Sequence, residues 1–303
     1  MGYSSVHSDL PGQENSPTKT KSLTRRGCLK ALGVSVLGAS AAGLLGYGYI
    51  FGIEPEWISI ERVEVPISNL PSPFYNFRIV FLSDFHFEPY TRLAFIHRVV
   101  QQTNELEPDL ICLLGDYVFA RAESIRELAP VLAELNASQG VFAVLGNHDI
   151  WTHAEIVRAG LEAHGIRVFN NQHVSLAVGG KSIVLAGLDD GWSGKPDLQQ
   201  TLAAVPEDQP VILMLHEPDF ADQVALDGRV QLQLSGHSHG GQVRLPYFGA
   251  PFLPGFAHKY DQGLYQVEQM WLYVTRGVGV ISPPGRFNCR PEITEITLVP
   301  STA

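Results

Sequence analysis

The chain has 303 residues, of which 45% are hydrophobic and 17% are charged, and this composition excludes a coiled coil, a collagen and a wholly disordered chain. Three cysteines without a Cys-x-x-Cys pair exclude a disulfide scaffold and a thiolate zinc motif. The net charge of −10 is a poor match for a nucleic-acid backbone, so we expect no nucleic-acid partner.

The first 53 residues carry the pattern of a targeting segment. Residues 1–24 are polar and lack apolar periodicity, which predicts disorder. Arg25 and Arg26 then precede Leu29, Lys30 and a run of 23 uncharged residues, 31–53. This pattern resembles a twin-arginine export signal, although Cys28 stands where that signal usually has Phe.

The same apolar run also fits a membrane anchor, because 23 helical residues can cross a bilayer core of about 30 Å. Basic residues precede the run and two glutamates follow it, so the positive-inside rule places the remaining chain outside the cytoplasm in either case. We therefore expect a disordered N-terminus plus export signal or anchor over 1–53 and the main folded domain over 54–303. Whether the segment is cleaved stays open.

Strands and helices alternate along residues 54–303. Apolar runs typical of strands occur at 58–65, 77–83, 110–114, 141–145, 211–215, 230–234, 264–267, 271–275 and 293–298, with a hairpin at 173–187. Helical periodicity occurs at 93–106, at 125–135 and at about 154–164. These patterns predict one α/β domain with stacked sheets.

Five of the predicted strands end in polar groups that can bind a metal. They are Asp84-Phe85-His86, Gly115-Asp116, Gly146-Asn147-His148-Asp149, His216 and Gly236-His237-Ser238-His239. Sites in α/β sheets form outside the carboxyl ends of strands, so these tips can converge. On extended chain, Asp84 and His86 would lie on one side, and the glycines would relieve crowding beside the ligands. The sequence thus indicates a metal pocket of oxygen and imidazole groups.

The series D-x-H, G-D, G-N-H-D, H and G-H-x-H, in this order over residues 77–240, resembles the calcineurin-like metallophosphoesterases. The later T-R-G-V-G at 275–279 and N-C-R-P-E at 288–292 resemble an exported bacterial subgroup of phosphodiesterases. The resemblance implies an α/β sandwich of two stacked mixed β-sheets flanked by helices.

The resemblance also implies a binuclear metal centre. In that centre Asp84, His86 and His239 hold the first metal, Asn147, His216 and His237 hold the second, and Asp116 bridges both. His148 would donate a proton to the leaving oxygen, with Asp149 orienting it. Nitrogen and oxygen ligands without thiolate fit two divalent ions of Mn, Fe, Zn or Co, and leave their identity open.

Other residues are weaker candidates. Arg276, Arg286 and Arg290 are candidates for contacts to a substrate phosphate, because guanidinium binds phosphate bidentately, but structural ion pairs are an equal alternative. Asp189-Asp190-Gly191 ends another predicted strand, so it either lies near the pocket or forms a plain turn, and the plain turn is favoured. The aromatic residues Tyr247, Phe248, Phe252 and Phe256 either line an apolar substrate tail or pack internally.

The leading functional hypothesis is hydrolysis of a phosphodiester at or outside the membrane. The substrate is either a soluble or a lipid-linked phosphoester. One alternative is a UDP-2,3-diacylglucosamine-type pyrophosphate hydrolase of lipid A-like glycolipid metabolism, although its substrate would be cytosolic. A second alternative is a non-catalytic metal-binding protein, which His148 beside a full ligand set argues against. Expected partners are the substrate and, through residues 31–53, the membrane or the twin-arginine export machinery.

Overall fold

A computed structural model describes residues 1–2 and 24–301, so nearly all of the N-terminal segment predicted to be disordered lies outside the described residues. The chain divides into two compact units, Met1–Gly46 and Tyr47–Ala303. Helix α1 (Arg25–Gly48) belongs to a helical stretch, Arg25–Glu56, that is long and apolar enough to cross a membrane. A signal sequence near the N-terminus has the same length and composition, so either function fits this stretch.

The second unit contains two six-stranded sheets. The first has the order β1-β12-β2-β3-β4-β5, with β1 (Ser59–Ile67), β2 (Arg78–Leu82), β3 (Leu110–Leu113), β4 (Val141–Ala143), β5 (Arg167–Val168) and β12 (Glu292–Pro300). The second has the order β10-β11-β9-β8-β7-β6, with β6 (Gln172–Val178), β7 (Lys181–Gly187), β8 (Val211–Met214), β9 (Val230–Ser235), β10 (Gly263–Val267) and β11 (Met270–Val274). Both sheets contain parallel and antiparallel pairs, which confirms the predicted pair of mixed sheets.

The sheets stack through an apolar layer formed by one face of each. Strand β3 shows how the alternation of side chains builds it. Leu110 and Cys112 face the layer between the sheets, whereas Ile111 and Leu113 face the helices. Burial raises the pKa of the Cys112 thiol, as expected for an inert core residue.

Helices cover the outer faces of both sheets. The first sheet carries α2 (Leu93–Glu105), α3 (Ile125–Leu132) and α4 (Asn147–Glu162), and the second carries α5 (Leu198–Leu202) and α6 (Ala221–Ala225). The predicted hairpin is confirmed as β6 and β7, with its turn at Gly179–Gly180. Helix α4 starts at Asn147, earlier than the predicted residue 154, so the Gly-Asn-His-Asp motif forms the first turn of a helix.

The parallel strands β2, β3 and β4 end at one edge of the first sheet, and β7, β8 and β9 end at one edge of the second. Backbone hydrogen bonds then join the segments that follow neighbouring strands. The N–H of Asp84 donates to the carbonyl of Gly115 at 3.0 Å, and the N–H of Gly236 donates to the carbonyl of His216 at 3.0 Å. All of the predicted metal-binding segments are therefore placed by the same two sheets.

Candidate metal centre

The first cluster of possible ligands contains Asp84, His86 and His239, all of them buried. Their ligand atoms lie within 4.8 Å of one another. The Nε2 atoms of His86 and His239 are 2.9 Å apart, and His239 Nε2 is 3.4 Å from Asp84 Oδ1. Burial lowers the pKa of His86 to about 3 and that of His239 well below its usual range. Both rings are therefore neutral, and each keeps a nitrogen lone pair for a metal.

The second cluster contains Asp116, His216 and His237. His216 donates from Nδ1 to the carbonyl of Leu114 at 2.6 Å, so Nε2, which lies 3.3 Å from Asp116 Oδ2, is the ring nitrogen that faces the cluster. Burial lowers the pKa of His216, but the charge and hydrogen bond of Asp116, together with the charges of Asp84 and Glu217, raise it well above its usual range. Positive charge is thus strongly favoured between these two side chains.

Two more groups complete this second cluster. His237 donates from Nε2 to the carbonyl of Gly255 at 2.7 Å, so its Nδ1 is the free ring nitrogen. The Oδ1 atom of Asn147 is buried and has no hydrogen-bond partner among the described residues. A buried amide oxygen without a donor is costly, and a cation satisfies it.

Asp116 lies between the two clusters. Its Oδ2 atom is 3.3 Å from His216 Nε2 and 3.4 Å from His86 Nε2. A single carboxylate can share its oxygens between two cations, whereas an imidazole serves only one. The donor set and its buried lone pairs fit two divalent cations, and the two His/Asp clusters have the arrangement of a dimetal site.

The backbone at these residues is left-handed rather than extended. The φ angles are 57° at Asp84, 42° at His86, 56° at Asp116, 68° at His237 and 52° at His239. The prediction that i, i+2 residues of an extended chain share a face is therefore wrong, although the side chains do converge. Non-glycine residues in this region cost about 1–3 kcal/mol each and are typical of functional sites. Hydrogen bonds such as those from the N–H of His237 to both Asp84 oxygens hold this conformation.

The glycines beside the ligands are required by close packing, as predicted. A Cβ atom on Gly146 would lie 2.8 Å from His216 Cε1 and even closer to Asp116 Oδ1. A Cβ atom on Gly236 would lie 2.6 Å from Asp84 Oδ2. Either substitution would displace a candidate ligand.

His148 lies at the open side of the centre, half-buried, with its ring 4.7 Å from that of His86. Its Nδ1 donates to the carbonyl of Phe119 at 2.9 Å, and the Phe119 ring stacks on it. The N–H of His148 donates to Asp116 Oδ1 at 2.8 Å. Nδ1 is therefore engaged, and Nε2 is the other ring nitrogen of His148.

Asp149 does not contact the ring of His148, so the expectation that it orients this ring needs correction. Its carboxylate accepts N–H bonds from Asp116, Tyr117, Val118 and Gly146 at 2.8 to 3.3 Å. Burial, followed by the charge of Asp116, raises the pKa of Asp149 to about 8, against the effect of these donors. Asp149 joins the first turn of α4 to the end of β3, and the Phe119 carbonyl orients His148.

The three arginines make structural contacts. Arg286 is fully buried and donates to the carbonyls of Arg276, Gly277, Gly279 and Cys289.

Arg276 pairs with Glu61 and Glu292. Arg290 donates to the carbonyls of Trp57 and Ile58 and stacks on the Trp57 ring. Their guanidinium groups are engaged by carbonyls and carboxylates, so the prediction that they contact substrate phosphate needs correction in favour of the structural alternative.

Sequence reasoning missed two tryptophans that flank the centre. The Trp151 ring lies 5.0 Å from that of His148, and the Trp192 ring lies 5.5 Å from that of His237. They are 5.2 Å from each other and line a cavity of about 130 Å³ with the candidate ligands. Trp192 follows the predicted plain turn, where Gly191 N–H donates to buried Glu217 at 2.7 Å. The position of this turn after β7, beside the other strand ends, was the signal that could have revealed it.

Comparisons with known proteins agree with this geometry. Residues 77–241 match the calcineurin-like phosphoesterase family. The chain is 39% identical over 287 residues to the metallophosphoesterase YkuE of Bacillus subtilis, covering 92% of this chain and 98% of YkuE. It is 34% identical over 284 residues to the phosphodiesterase YaeI of Escherichia coli, covering 91% of this chain and 100% of YaeI.

A transmembrane protein with a metallophosphoesterase domain from Bos taurus is 33% identical over 300 residues, covering 92% of this chain and 64% of that protein. The family match extends over more than half of the chain and includes every strand end that carries a candidate ligand. The two His/Asp clusters, with Asp116 beside a histidine of each, are consistent with a dimetal site. The chain therefore belongs to the calcineurin-like phosphoesterases and is a metal-dependent phosphoester hydrolase.

Proposed function

We propose that this protein is a binuclear phosphodiesterase that acts at or outside the membrane. The observation that carries the proposal is the position of Asp116. Its Oδ2 atom lies 3.4 Å from His86 Nε2 in the first cluster and 3.3 Å from His216 Nε2 in the second. The proposed ligands are Asp84, His86 and His239 for one ion, Asn147, His216 and His237 for the other, and Asp116 for both.

Divalent ions bound there would polarise a phosphoryl oxygen and lower the pKa of a water nucleophile. The protein's own groups supply the remaining requirements. His148, held through Nδ1 by the Phe119 carbonyl, presents Nε2 as the proton donor to the departing oxygen. Trp151 and Trp192 give the cavity aromatic walls on which an organic substituent of a diester can lie.

Two observations support a diester rather than a monoester. YaeI, which aligns along its whole length, is a phosphodiesterase by name. In addition, the three arginines predicted to contact phosphate are held in structural contacts, so they do not offer the extra positive charge that a monoester dianion would favour.

The test uses the full chain, stripped of metal with a chelator and then supplied with Mn or Zn. Its hydrolysis of bis-p-nitrophenyl phosphate, a diester, is compared with its hydrolysis of p-nitrophenyl phosphate, a monoester. We expect metal-restored turnover of the diester above that of the monoester. A folded protein that binds two metal equivalents and hydrolyses neither compound would favour the metal-binding alternative.

For location, the apolar stretch Arg25–Glu56 and the arginine pair before it support export or outward anchoring. The name of the Bos taurus relative places a related domain in a transmembrane protein. A topology reporter fused after Ala303 should read outside the cytoplasm. A cytosolic signal would favour the nucleotide-lipid pyrophosphatase instead.

A further inference from the structure

Residues 245–257, here called the aromatic loop, form an apolar segment between β9 and β10. Its thirteen residues include no charged side chain, and the Tyr247 hydroxyl is its only polar side-chain group. Tyr247 is fully exposed, Phe248 is 86% exposed and Phe252 is 84% exposed. Internal packing, one of the two alternatives for these aromatics, therefore does not apply to these three. A contiguous apolar patch of this kind marks an interaction surface rather than an ordinary loop.

The tip of the aromatic loop is an ordered turn. The N–H of Leu245 donates to the carbonyl of Gly249 at 2.9 Å, and the N–H of Gly249 donates back to that of Leu245 at 3.0 Å. Tyr247 and Phe248 lie inside this closed turn, so the backbone presents both rings to solvent in a fixed conformation. Keeping two aromatic rings in water is unfavourable, and a partner that buries them would remove this cost.

The base of the loop and the end of the apolar helical stretch are attached to the same short segment. The backbone N–H of Arg244 donates to the carbonyl of Phe287 at 2.8 Å, and the backbone N–H of Arg286 donates to the carbonyl of Ile50 at 3.0 Å. Ile50 belongs to the stretch Arg25–Glu56 that is long and apolar enough to cross a membrane. Two consecutive residues thus connect the loop to the end of the candidate membrane segment, which argues that a lipid surface meets both.

The loop is also continuous with the metal centre. The Phe256 ring lies 5.7 Å from that of Trp192, which lies 5.5 Å from that of His237. Pro254 lines the same cavity as the candidate ligands. A molecule anchored beside the loop would therefore reach the centre along an aromatic surface.

The cations that flank the loop are already paired. Arg244 pairs with Asp261, and Lys259 pairs with Asp222. Attraction to anionic headgroups therefore contributes little, and burial of apolar and aromatic surface is the main driving force. Binding driven in this way should depend weakly on salt.

We propose that the aromatic loop inserts into the interfacial layer of a lipid bilayer and presents the metal centre to phosphodiester groups at headgroup level. This inference rests on the proposed phosphodiesterase function and gives its substrate class as bilayer-resident, amphiphilic phosphodiesters. Tyr247 suits this layer because its ring is apolar and its hydroxyl can stay in water. The Phe248 and Phe252 rings gain free energy simply by leaving water.

Insertion is tested with the full chain carrying C28S, because Cys28 is exposed whereas Cys112 and Cys289 are buried. An environment-sensitive fluorophore is placed at Y247C or, as a control, at L226C, an apolar side chain that is 83% exposed outside the loop. In phosphatidylcholine vesicles with brominated acyl chains, we expect quenching at position 247 alone, unchanged by high salt. Equal quenching at both positions, or at neither, would overturn the proposal. A blue shift at 247 without quenching would likewise overturn insertion, and would indicate contact of the loop with another copy of the chain.

Substrate class is tested with the double variant F248S/F252S and its conservative counterpart F248W/F252W. We expect the serine variant to lose about tenfold or more of its hydrolysis of a phosphodiester lipid in vesicles, since it lacks the two aromatic rings that would be buried in the bilayer. It should keep wild-type turnover of bis-p-nitrophenyl phosphate. The tryptophan variant should retain both activities. A serine variant that loses neither activity, or both equally, contradicts the inference. Failure of the wild-type chain on the soluble diester would instead contradict the proposed function, while fluorophore quenching still decides insertion.

Discussion

At the scale of single residues, a substitution of His148 distinguishes loss of the proton donor from loss of metal. H148Q should leave both metal equivalents in place and lower kcat for a diester with an alkoxide leaving group by about 10²–10⁴-fold. A p-nitrophenoxide leaving group needs little protonation, so the loss should be much smaller on bis-p-nitrophenyl phosphate. Turnover rates on the two substrates, with metal content measured in parallel, check this prediction. An equal loss on both substrates would show that His148 does not act as the proton donor.

Asp116 and Asp84 form a matched pair of carboxylates with different predicted roles. D116N should weaken the binding of both ions, because Asp116 Oδ2 lies beside a histidine of each cluster. D84N should weaken one ion, because Asp84 belongs to the first cluster. Calorimetric titration with Mn or Zn measures the stoichiometry and affinity of each variant. Identical titrations for the two variants would rule out the bridging position of Asp116.

At the scale of elements, the start of α4 depends on Asp149, whose buried carboxylate accepts four backbone N–H groups. D149N replaces one acceptor oxygen by an amide donor facing those N–H groups, so we expect a loss of about 1–3 kcal/mol in the free energy of unfolding. Denaturant unfolding measures it.

Asp197 provides the control for this substitution. It caps α5 from an exposed position by accepting from Gln200 N at 2.9 Å. Asn caps helices about as well as Asp, so D197N should be close to neutral. If D149N were equally neutral, Asp149 would not link α4 to β3 as the geometry indicates.

The turn after β7 carries Trp192 into the wall of the cavity, and Glu217 holds this turn through Gly191 N–H. W192A should raise KM for diesters with large apolar or aromatic substituents by about fivefold to tenfold, because the loss of the ring contact costs about 1 kcal/mol of binding free energy. KM for dimethyl phosphate, which has no such substituent, should be unchanged. W57A, which removes an exposed ring outside this cavity, is the control. Steady-state kinetics with both substrates check it, and an equal rise in KM for both would show general damage to the site.

Local sequence patterns predicted the element types and the positions where candidate ligands follow strands, because alternation and strand ends are encoded over a few neighbouring residues. They did not predict the left-handed backbone at Asp84 or His237, which depends on hydrogen bonds between distant segments. The same limit explains why the sequence left Arg286 open between a substrate contact and a structural contact, because its carbonyl partners become apparent only in the folded chain. Trp192 was missed because its contact with His237 joins residues that follow different strands.

At the scale of the whole molecule, strand order was the least predictable feature. The final strand, β12, lies between β1 and β2 and pairs in parallel with β1 over nine residues. No local signal specifies that insertion, because it joins the two ends of the catalytic unit. It also means that the first sheet is complete only after the C-terminal strand has been made.

This topology bears on the proposed location of the catalytic unit outside the cytoplasm. Candidate ligands follow strands of both sheets, so the metal centre exists only in a chain that has already folded. The twin-arginine signal is an address read by a receptor, whereas ordinary anchoring requires only positive charge before an apolar run. Lys keeps the charge of Arg but not its planar guanidinium, so R25K/R26K separates the two routes.

We expect R25K/R26K to keep the catalytic unit in the cytoplasm, with a reporter fused after Ala303 reading inside and the accumulated protein still hydrolysing a soluble diester in cell extracts. K30R is the control, because it keeps the charge and leaves the arginine pair intact. Outward reporters in both variants would assign Arg25–Glu56 to an anchor inserted by charge alone. The metal centre would then have to assemble after the chain has crossed the membrane, since an anchored chain of that kind crosses before its C-terminal strand completes the first sheet.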